Sequence, residues 1–514
     1  MSTLNPQSRA FVSALRAAER YELNRQAAER DADLFHVVGV GRTVSVVYEQ
    51  VRNAAEYTEE HLLLQRAIRR FYTRLFITGE KLGDTGEELV VELTLAGYIP
   101  NDSVTVDKIT QLTAIAASYH EVYQKLHTLG TRTQRAWSIE VLSVEAESLL
   151  RPHAMRDAYE QFVFEHFKTA IDPGVVSEGA KDFELLLFIA IHRVLLKSDN
   201  ATIRWALLRR FTQDTTDLTA YNRINQQIDS LLDPRRSQQL QRIIGREGAI
   251  FRVLAHMLRD DEGAYQTIER PEKFLLAFEN AVNASYEAVE TRINRGVLRS
   301  IIFLIITKTL IGVAIEIPYD LWVHDQIAWL VLGVNLLLPP LYMLLLRLTL
   351  RVPDAANTRS LVAQVDKLLY SKTPVQYAPA RQSKQYGGIF NSIYTLLILG
   401  MFGLVSWLLV SIGFEIVHLF IFFIFFSTAS FLGFRLSRAT RELEAVDSRQ
   451  DGVGMVRDFI YLPFVVVGRK LSESYAKLNI VASFLDMFIE LPLKAVLRMV
   501  RRWDAFISSK KDEL

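Results

Sequence analysis

The chain contains no cysteine, which removes disulfides, thiolate nucleophiles, iron–sulfur clusters and cysteine-ligated zinc from consideration. Enzyme signatures are missing as well: there is no P-loop, no GxSxG elbow and no HExxH. Gly39-Val40-Gly41 opens a dinucleotide-type glycine motif but lacks its third glycine and a preceding strand. His120-Glu121 meets its next histidine only at His127, the wrong spacing for a zinc-protease helix. An excess of charge is absent too: 59 Lys and Arg against 58 Asp and Glu leave a formal net charge of +1, so nucleic acid is not an expected partner. The N-terminal segment has no uninterrupted apolar core beside a cleavage site, which argues against a cleaved secretory signal. These absences disfavour an enzyme and predict no cofactor and no metal site.

Long hydrophobic runs are what the sequence does have. Residues 300–318, 327–348, 389–412 and 417–434 are each close to the ~20 residues a helix needs to cross a hydrocarbon core. A bilayer offers no partner to open backbone groups, so these runs are read as continuous helices forming two transmembrane hairpins. Arg292, Arg295 and Arg299 precede the first; Arg347, Arg351, Arg359, Lys367, Lys372, Arg381 and Lys384 fill the connection between the second and third; Arg435, Arg438 and Arg441 follow the fourth. The short connections at 319–326 and 413–415 carry Asp320, Asp325 and Glu415 with no Lys or Arg. The positive-inside rule therefore predicts cytoplasmic termini and a cytoplasmic middle loop, in a plasma (inner) membrane of bacterial type. On that topology the terminal Lys511-Asp512-Glu513-Leu514 string lies on the wrong side for a retrieval receptor and is read as coincidence.

At 514 residues the chain exceeds one ordinary core. The predicted fold class is all-α: a cytoplasmic multi-helix bundle, a four-helix transmembrane domain and an amphipathic interfacial C-terminal helix. The expected divisions are a cytoplasmic domain at 1–295, hairpins at 296–348 and 389–435 around a cytoplasmic loop at 349–388, and a tail at 436–514 with membrane-interfacial helices. Within the first domain, Leu64, Ile68, Phe71 and Leu75 recur at helical spacing. Residues 185–196, apolar all round but too short to cross, are read as a buried central helix, with His192 a hydrogen-bonded core residue. Arginines 66, 69, 70 and 74, and a second group at Arg204, Arg209 and Arg210, are read as solvated faces. The last soluble helix begins at Pro271 and meets no proline before Pro318, so it is expected to run unbroken into the first span. In the tail, Ser483, Asp486, Glu490, Lys494, Arg498 and Arg501 form a polar stripe on an otherwise apolar helix. This predicts an interfacial helix anchored by Arg501, Arg502 and Trp503.

One candidate polar cluster lies inside the apolar runs. Lys308 stands nine positions beyond Arg299, ~13 Å into the membrane by helical rise. Pro339 and Pro340 free the carbonyls of Asn335 and Leu336 at comparable depth, so Lys308 is expected to donate to those carbonyls or to the Asn335 amide. Glu316, about 12 Å further along the axis, is expected to lie out of reach and to face water with Asp320. Gly400, Gly403, Ser427, Ser430 and Gly433 are expected to form helix-packing faces. The lysine cluster either clips helices together or lines an ion or solute path, and a single lysine favours the clip. The leading functional reading is a non-enzymatic scaffold or assembly factor, with the lipid bilayer and a protein bound by the cytoplasmic domain as partners; a homo-oligomer is compatible with it. An oligomeric channel, transporter or tension-responsive complex comes second, and a lipid-acting enzyme third.

Overall fold

Helix ends form where the local chemistry asks for them. Asn5 accepts a hydrogen bond from the Ser8 amide at 2.8 Å and Pro6 occupies the first turn, starting the helix Pro6–Arg30. Gly97, at φ +81°, closes Thr85–Leu95: its amide donates to the Thr94 carbonyl, and the Tyr98 amide donates to the Leu93 carbonyl. In the connection between the second and third long apolar helices, Asp354 caps a helix at Ala355–Tyr370 by accepting from the amides of Ala356 and Asn357.

The computed structural model describes residues 4–39, 42–55, 60–78, 83–129, 132–175, 180–211, 218–260, 263–350, 352–373, 375–378, 388–445 and 462–471, with Met499 and Trp503. Among these residues every regular element is a helix, and the only β pairing is an isolated bridge between Leu34 and Thr105. Two units are distinguished. One holds Asn5–Ile244 with Lys372–Pro379; the other holds Gly245–Ser371 and the described residues from 388 to 471. Residues 245–295 thus belong to the unit of the four long apolar helices.

In the first unit, Pro6–Arg30 lies on Ala154–Ala170 with the Phe11 and Phe162 rings stacked at 4.1 Å. The helix Ala180–Val194 buries Phe183, Leu186, Leu187, Phe188, Ile189 and Ile191, as its all-round apolar character requires. His192 is a hydrogen-bonded core residue: its Nδ1 is 3.0 Å from Ser198 Oγ, and its Nε2 stands 3.2 Å from Glu160. Arg69, Arg70, Arg74 and Arg204 depart from the solvated reading, whereas Arg209 is exposed as expected, over the Trp205 ring. Arg69 pairs with Asp199 at 2.8 Å, Arg70 with Glu49 at 2.5 Å, and Arg74 with Glu92. Buried Arg204 lies between Glu140 and Asp229 over the Trp137 ring. Their partners come from other helices, which one helix's charge pattern does not reveal.

Residues 375–378 also join this unit, since the Tyr377 amide donates to the Ala170 carbonyl and its hydroxyl is 3.0 Å from His166 Nε2.

In the second unit, all four expected long apolar helices are present, long and apolar enough to cross a membrane. Span one is the end of a rod: Pro271–Ile311 continues through a π-helical turn at Gly312–Glu316 into Ile317–His324. The expected unbroken passage into the first span is observed. Span two is Trp329–Thr349, span three Gly388–Val410 and span four Ile416–Arg441. Spans one, two and four form a core around Leu304, Met343, Ile421, Phe425 and Ala429. Glycines there make room for side chains of the facing helix: a Cβ on Gly433 would stand 2.0 Å from Leu346 Cδ2, and one on Gly296 2.6 Å from Leu436 Cδ2. Gly400 and Gly403 do not act as expected. A Cβ on either meets nothing within 4 Å, because both glycines lie on the exposed side of span three, which packs on spans two and four through Phe402, Val405 and Leu409.

Beside the arginine-bearing ends of the spans, Asn357 joins three segments. Its Nδ2 donates to Tyr286 Oη at 2.7 Å and to the Leu443 carbonyl at 2.8 Å, and its Oδ1 accepts from the Ala445 amide at 2.7 Å. Arg252 donates to the Glu442 carbonyl at 2.6 Å. The rod, the 355–370 helix and the exit of span four are therefore tied together. Residues 462–471 are helical, with Pro463 in the first described turn, so that proline does not interrupt them. Phe464 packs on Phe402, Phe423 and Phe426, and Gly468 lies against the Ser427 main chain. The expected helix at 481–503, with Arg501 and Arg502, lies outside the described residues; Trp503 is exposed.

Burial beside Phe167 lowers the His166 pKa to about 4, against about 6.5 in an unfolded chain. The unfolded state therefore takes up the proton first. The stability that neutral His166 contributes is complete above pH 6.5 and is lost as pH falls from there towards 4, by up to about 3 kcal/mol. His166→Gln is expected to flatten that part of the acid limb, measured by thermal unfolding from pH 8 to 4. An unchanged slope would show that other groups set it.

Candidate functional site

The site begins with a irregularity in the rod. In a regular α-helix, residues eight apart sit roughly 80° out of line and about 12 Å apart. The π turn at Gly312–Glu316 inserts an extra residue, so Glu316 takes the place of a seventh neighbour, roughly 20° from the Lys308 face. Helical side chains lean towards the N-terminus, which brings the Glu316 carboxylate back along the rod. Lys308 Nζ reaches Glu316 Oε1 at 2.8 Å, with both side chains almost wholly excluded from solvent, at 2 % and 0 % exposure. The expectation that Glu316 lies out of reach and faces water is overturned, and the π turn is the reason.

The second carboxylate oxygen accepts from Asn335 Nδ2 at 3.0 Å, and that nitrogen is also 3.4 Å from the His418 carbonyl. The Phe425 ring lies under the ammonium, 4.9 Å from Nζ. Glu316 thus links spans one and two, while Asn335 reaches span four. Of the residues singled out by sequence, Lys308 and Asn335 meet, but on Glu316 and not on the carbonyls freed by the prolines. Pro339 and Pro340 are buried in span two, whose helix continues through both.

A second pair lies one turn nearer the acidic end. His418 Nε2 stands 3.1 Å from Asp320 Oδ1, close enough for an ion pair although not aligned as a hydrogen bond, and both residues are buried. Asp320 Oδ2 accepts from the Ala328 amide at 3.0 Å, capping span two. The expectation of a water-facing Asp320 also fails, because span four turns a histidine towards it. Beyond this pair, at the surface, Tyr319 donates to Glu415 Oε2 at 2.8 Å while His324 Nε2 is 2.8 Å from Oε1. The Tyr319 ring stands edge-on to His418 at 5.8 Å. Sequence reasoning missed His418, although one signal was available: it is an ionisable residue within an apolar run.

These groups make a ladder from the interior to the acidic end of the spans: Lys308–Glu316–Asn335, then His418–Asp320, then Tyr319–Glu415–His324. Three buried atoms on it, Asn335 Oδ1, Asp320 Oδ1 and His418 Nδ1, have no hydrogen-bond partner among the described residues. At the other end Arg347 pairs with Glu290 at 2.9 Å and donates to Asn294. No group of three or more His, Asp or Glu suited to a metal occurs among the described residues.

No protein family, curated protein or solved structure matches this chain. The functional argument therefore rests on its own residues.

Removing one member of a buried ion pair leaves the other uncompensated, at a cost of about 3–5 kcal/mol. Lys308→Met, which fills the lysine's space without its charge, is expected to lower stability by that order. Adding Glu316→Gln should restore most of the loss, because no buried charge remains. Both are read from the unfolding of the detergent-solubilised full chain; equal stability of the single and double variants would refute the pairing.

Proposed function

We propose that this chain is a polytopic membrane protein of the channel or transporter class, in which ions or small solutes pass beside a ladder of ionisable groups between spans one, two and four. The observation that carries the reading is the pair of buried ionic contacts, Lys308–Glu316 and His418–Asp320, continued to the surface by Tyr319, Glu415 and His324. A helix that only anchors a protein needs none of these groups, and each is expensive in hydrocarbon. Ionisable residues at such depth are retained where they line polar paths or set the state of a gate. The path ranked second on a lone lysine gains from a carboxylate, a histidine and a second carboxylate at the same interface.

The scaffold reading, first on sequence alone, moves to second place, supported by the separate helical unit of Asn5–Ile244, which offers surface for a protein partner. In either case we read both termini and the 349–388 connection as cytoplasmic and the acidic short connections as external, in a plasma (inner) membrane, a reading supported by the basic residues that flank the spans.

Flux decides between the two. Proteoliposomes holding the full chain are expected to pass small ions above the background of empty vesicles, and Glu316→Gln should change that rate at least tenfold in folded, correctly inserted protein. No flux above background, with partner capture from membranes intact, would favour the scaffold. Topology is tested through the missing cysteines. Since the chain has none, Gln326→Cys and Lys372→Cys each supply a single thiol at an exposed position. A membrane-impermeant maleimide should label the first in intact cells and the second only after permeabilisation; the reverse pattern would invert the topology.

A further inference from the structure

The helical residues 462–471 lie deep among the apolar helices. Ser427 is the middle of the apolar stretch Ile416–Arg438, eleven residues from either end, and so about 16 Å from each by helical rise. A Cβ on Gly468 would stand 2.0 Å from the Ser427 carbonyl oxygen and 2.8 Å from Phe431 Cβ. Four residues earlier, the Phe464 ring is 4.8 Å from those of Phe402 and Phe426 and 6.3 Å from that of Phe423. Phe402 is itself one residue past the middle of Ser392–Val410. Advancing from Phe464 to Gly468 thus moves the contacts on span four from 423–426 to 427–431. The segment runs beside span four in the same direction, towards Arg435, Arg438 and Arg441, and it starts just past the middle of the apolar layer.

Span four has already left that layer at its arginine-bearing end, where the Ala445 amide donates to Asn357. To reach Pro463 the chain has to come back in. We infer that residues 462–471 are the outgoing arm of a re-entrant segment, which enters from the arginine-bearing side, passes the midplane and returns, with Phe464 filling the groove between spans three and four. Its composition fits that course. Phe464 and Val465, at 1 % and 4 % exposure, begin the arm, and exposed Arg469 and Lys470 come at its exit. Both cations stand level with Phe431, about 10 Å short of Arg438, and can extend towards the headgroups. Backbone that enters a bilayer without crossing it persists only where protein buries it or water lines it. Gly468, which lets main chain meet main chain, and the phenylalanine cluster supply the burial. Because Phe464 touches spans three and four together, the arm is a strap that fastens span three to the three-helix core.

An interfacial tail helix makes a different forecast, since it lies flat with the residues of one face at one depth. Val466 and Lys470 share a face, and in an upright arm they differ in depth by about 6 Å. The chain has no cysteine, so Val466→Cys, Lys470→Cys and Leu399→Cys each carry a single bimane label on the full chain in phosphatidylcholine nanodiscs. Depth is read from quenching by lipids bearing a doxyl group near the headgroup or near the end of the acyl chain. Leu399, exposed near the middle of span three, is the ruler. The Val466 label is expected to be quenched mainly by the deep group, as at Leu399, with the ratio of deep to shallow quenching falling about twofold over the ~6 Å to Lys470. Val467→Cys and Leu471→Cys, the next pair on one face, are carried in parallel in case a label at 466 displaces the arm. In the Val466-labelled chain, Gly468→Leu cannot seat its side chain against Ser427 and should move the label towards the shallow quencher. Equal ratios within both pairs, or an unmoved label in the leucine variant, would overturn the inference while Leu399 reads deep. A shallow Leu399 would overturn it together with the membrane-spanning reading on which it rests; transport is not assumed.

Discussion

The contact between Lys308 and Glu316 is the constraint on which the arrangement of the apolar helices turns. A charge at this depth requires a partner, and the partner is on the same rod eight residues further on. Regular α-helix would leave the two facing different directions, so the pair and the π turn at Gly312–Glu316 imply one another. Once Glu316 faces inward, Asn335 of span two can reach its free oxygen and the His418 carbonyl of span four. Three helices with no hydrophobic incentive to associate in lipid thereby acquire a shared polar centre. Phe425 and the close approach at Gly433 complete the packing.

At the arginine-bearing end a different device holds the same elements. Asn357 works as a fragment of main chain: its amide group bonds the Leu443 carbonyl and the Ala445 amide as a neighbouring strand would, while also donating to Tyr286 of the rod. Arg252 adds a bond to Glu442. The rod is thus held at two depths, by an ion pair among the apolar helices and by an amide clamp outside them. A change in the charge of the inner pair therefore acts on a helix that is continuous with the clamp, since no break occurs between Pro271 and His324. That continuity supplies a physical route between the ladder and the helices Ala249–Asp260 and Ala355–Tyr370 packed against the rod.

Much of the fold was legible in the sequence because hydrophobic length and helical periodicity are local properties. Four runs near the crossing length became four helices, the apolar segment at 185–196 became a buried one, and the absence of proline after Pro271 became a rod. The site was legible only in part. Lys308 and Asn335 stood out as polar residues in apolar runs, whereas Glu316 was assigned to water by assuming ideal helix geometry. Nothing in Gly312-Val313-Ala314-Ile315 announces a π turn. The arginines at 69, 70, 74 and 204 were misread for a related reason: their carboxylates lie on other helices, at separations that periodicity does not sample.

The sequence by itself determined the all-α class, the number and approximate positions of the long apolar helices and the presence of a lysine within one of them. These follow from transfer free energy and backbone hydrogen bonding, which depend on each segment alone. Only the tertiary structure decided which partner that lysine takes, that His418 and Asp320 form a second pair, and that span three stays outside the three-helix core. Those outcomes depend on the angular position of each side chain around its helix and on which helix faces it. A single extra residue in one turn changes both by tens of degrees.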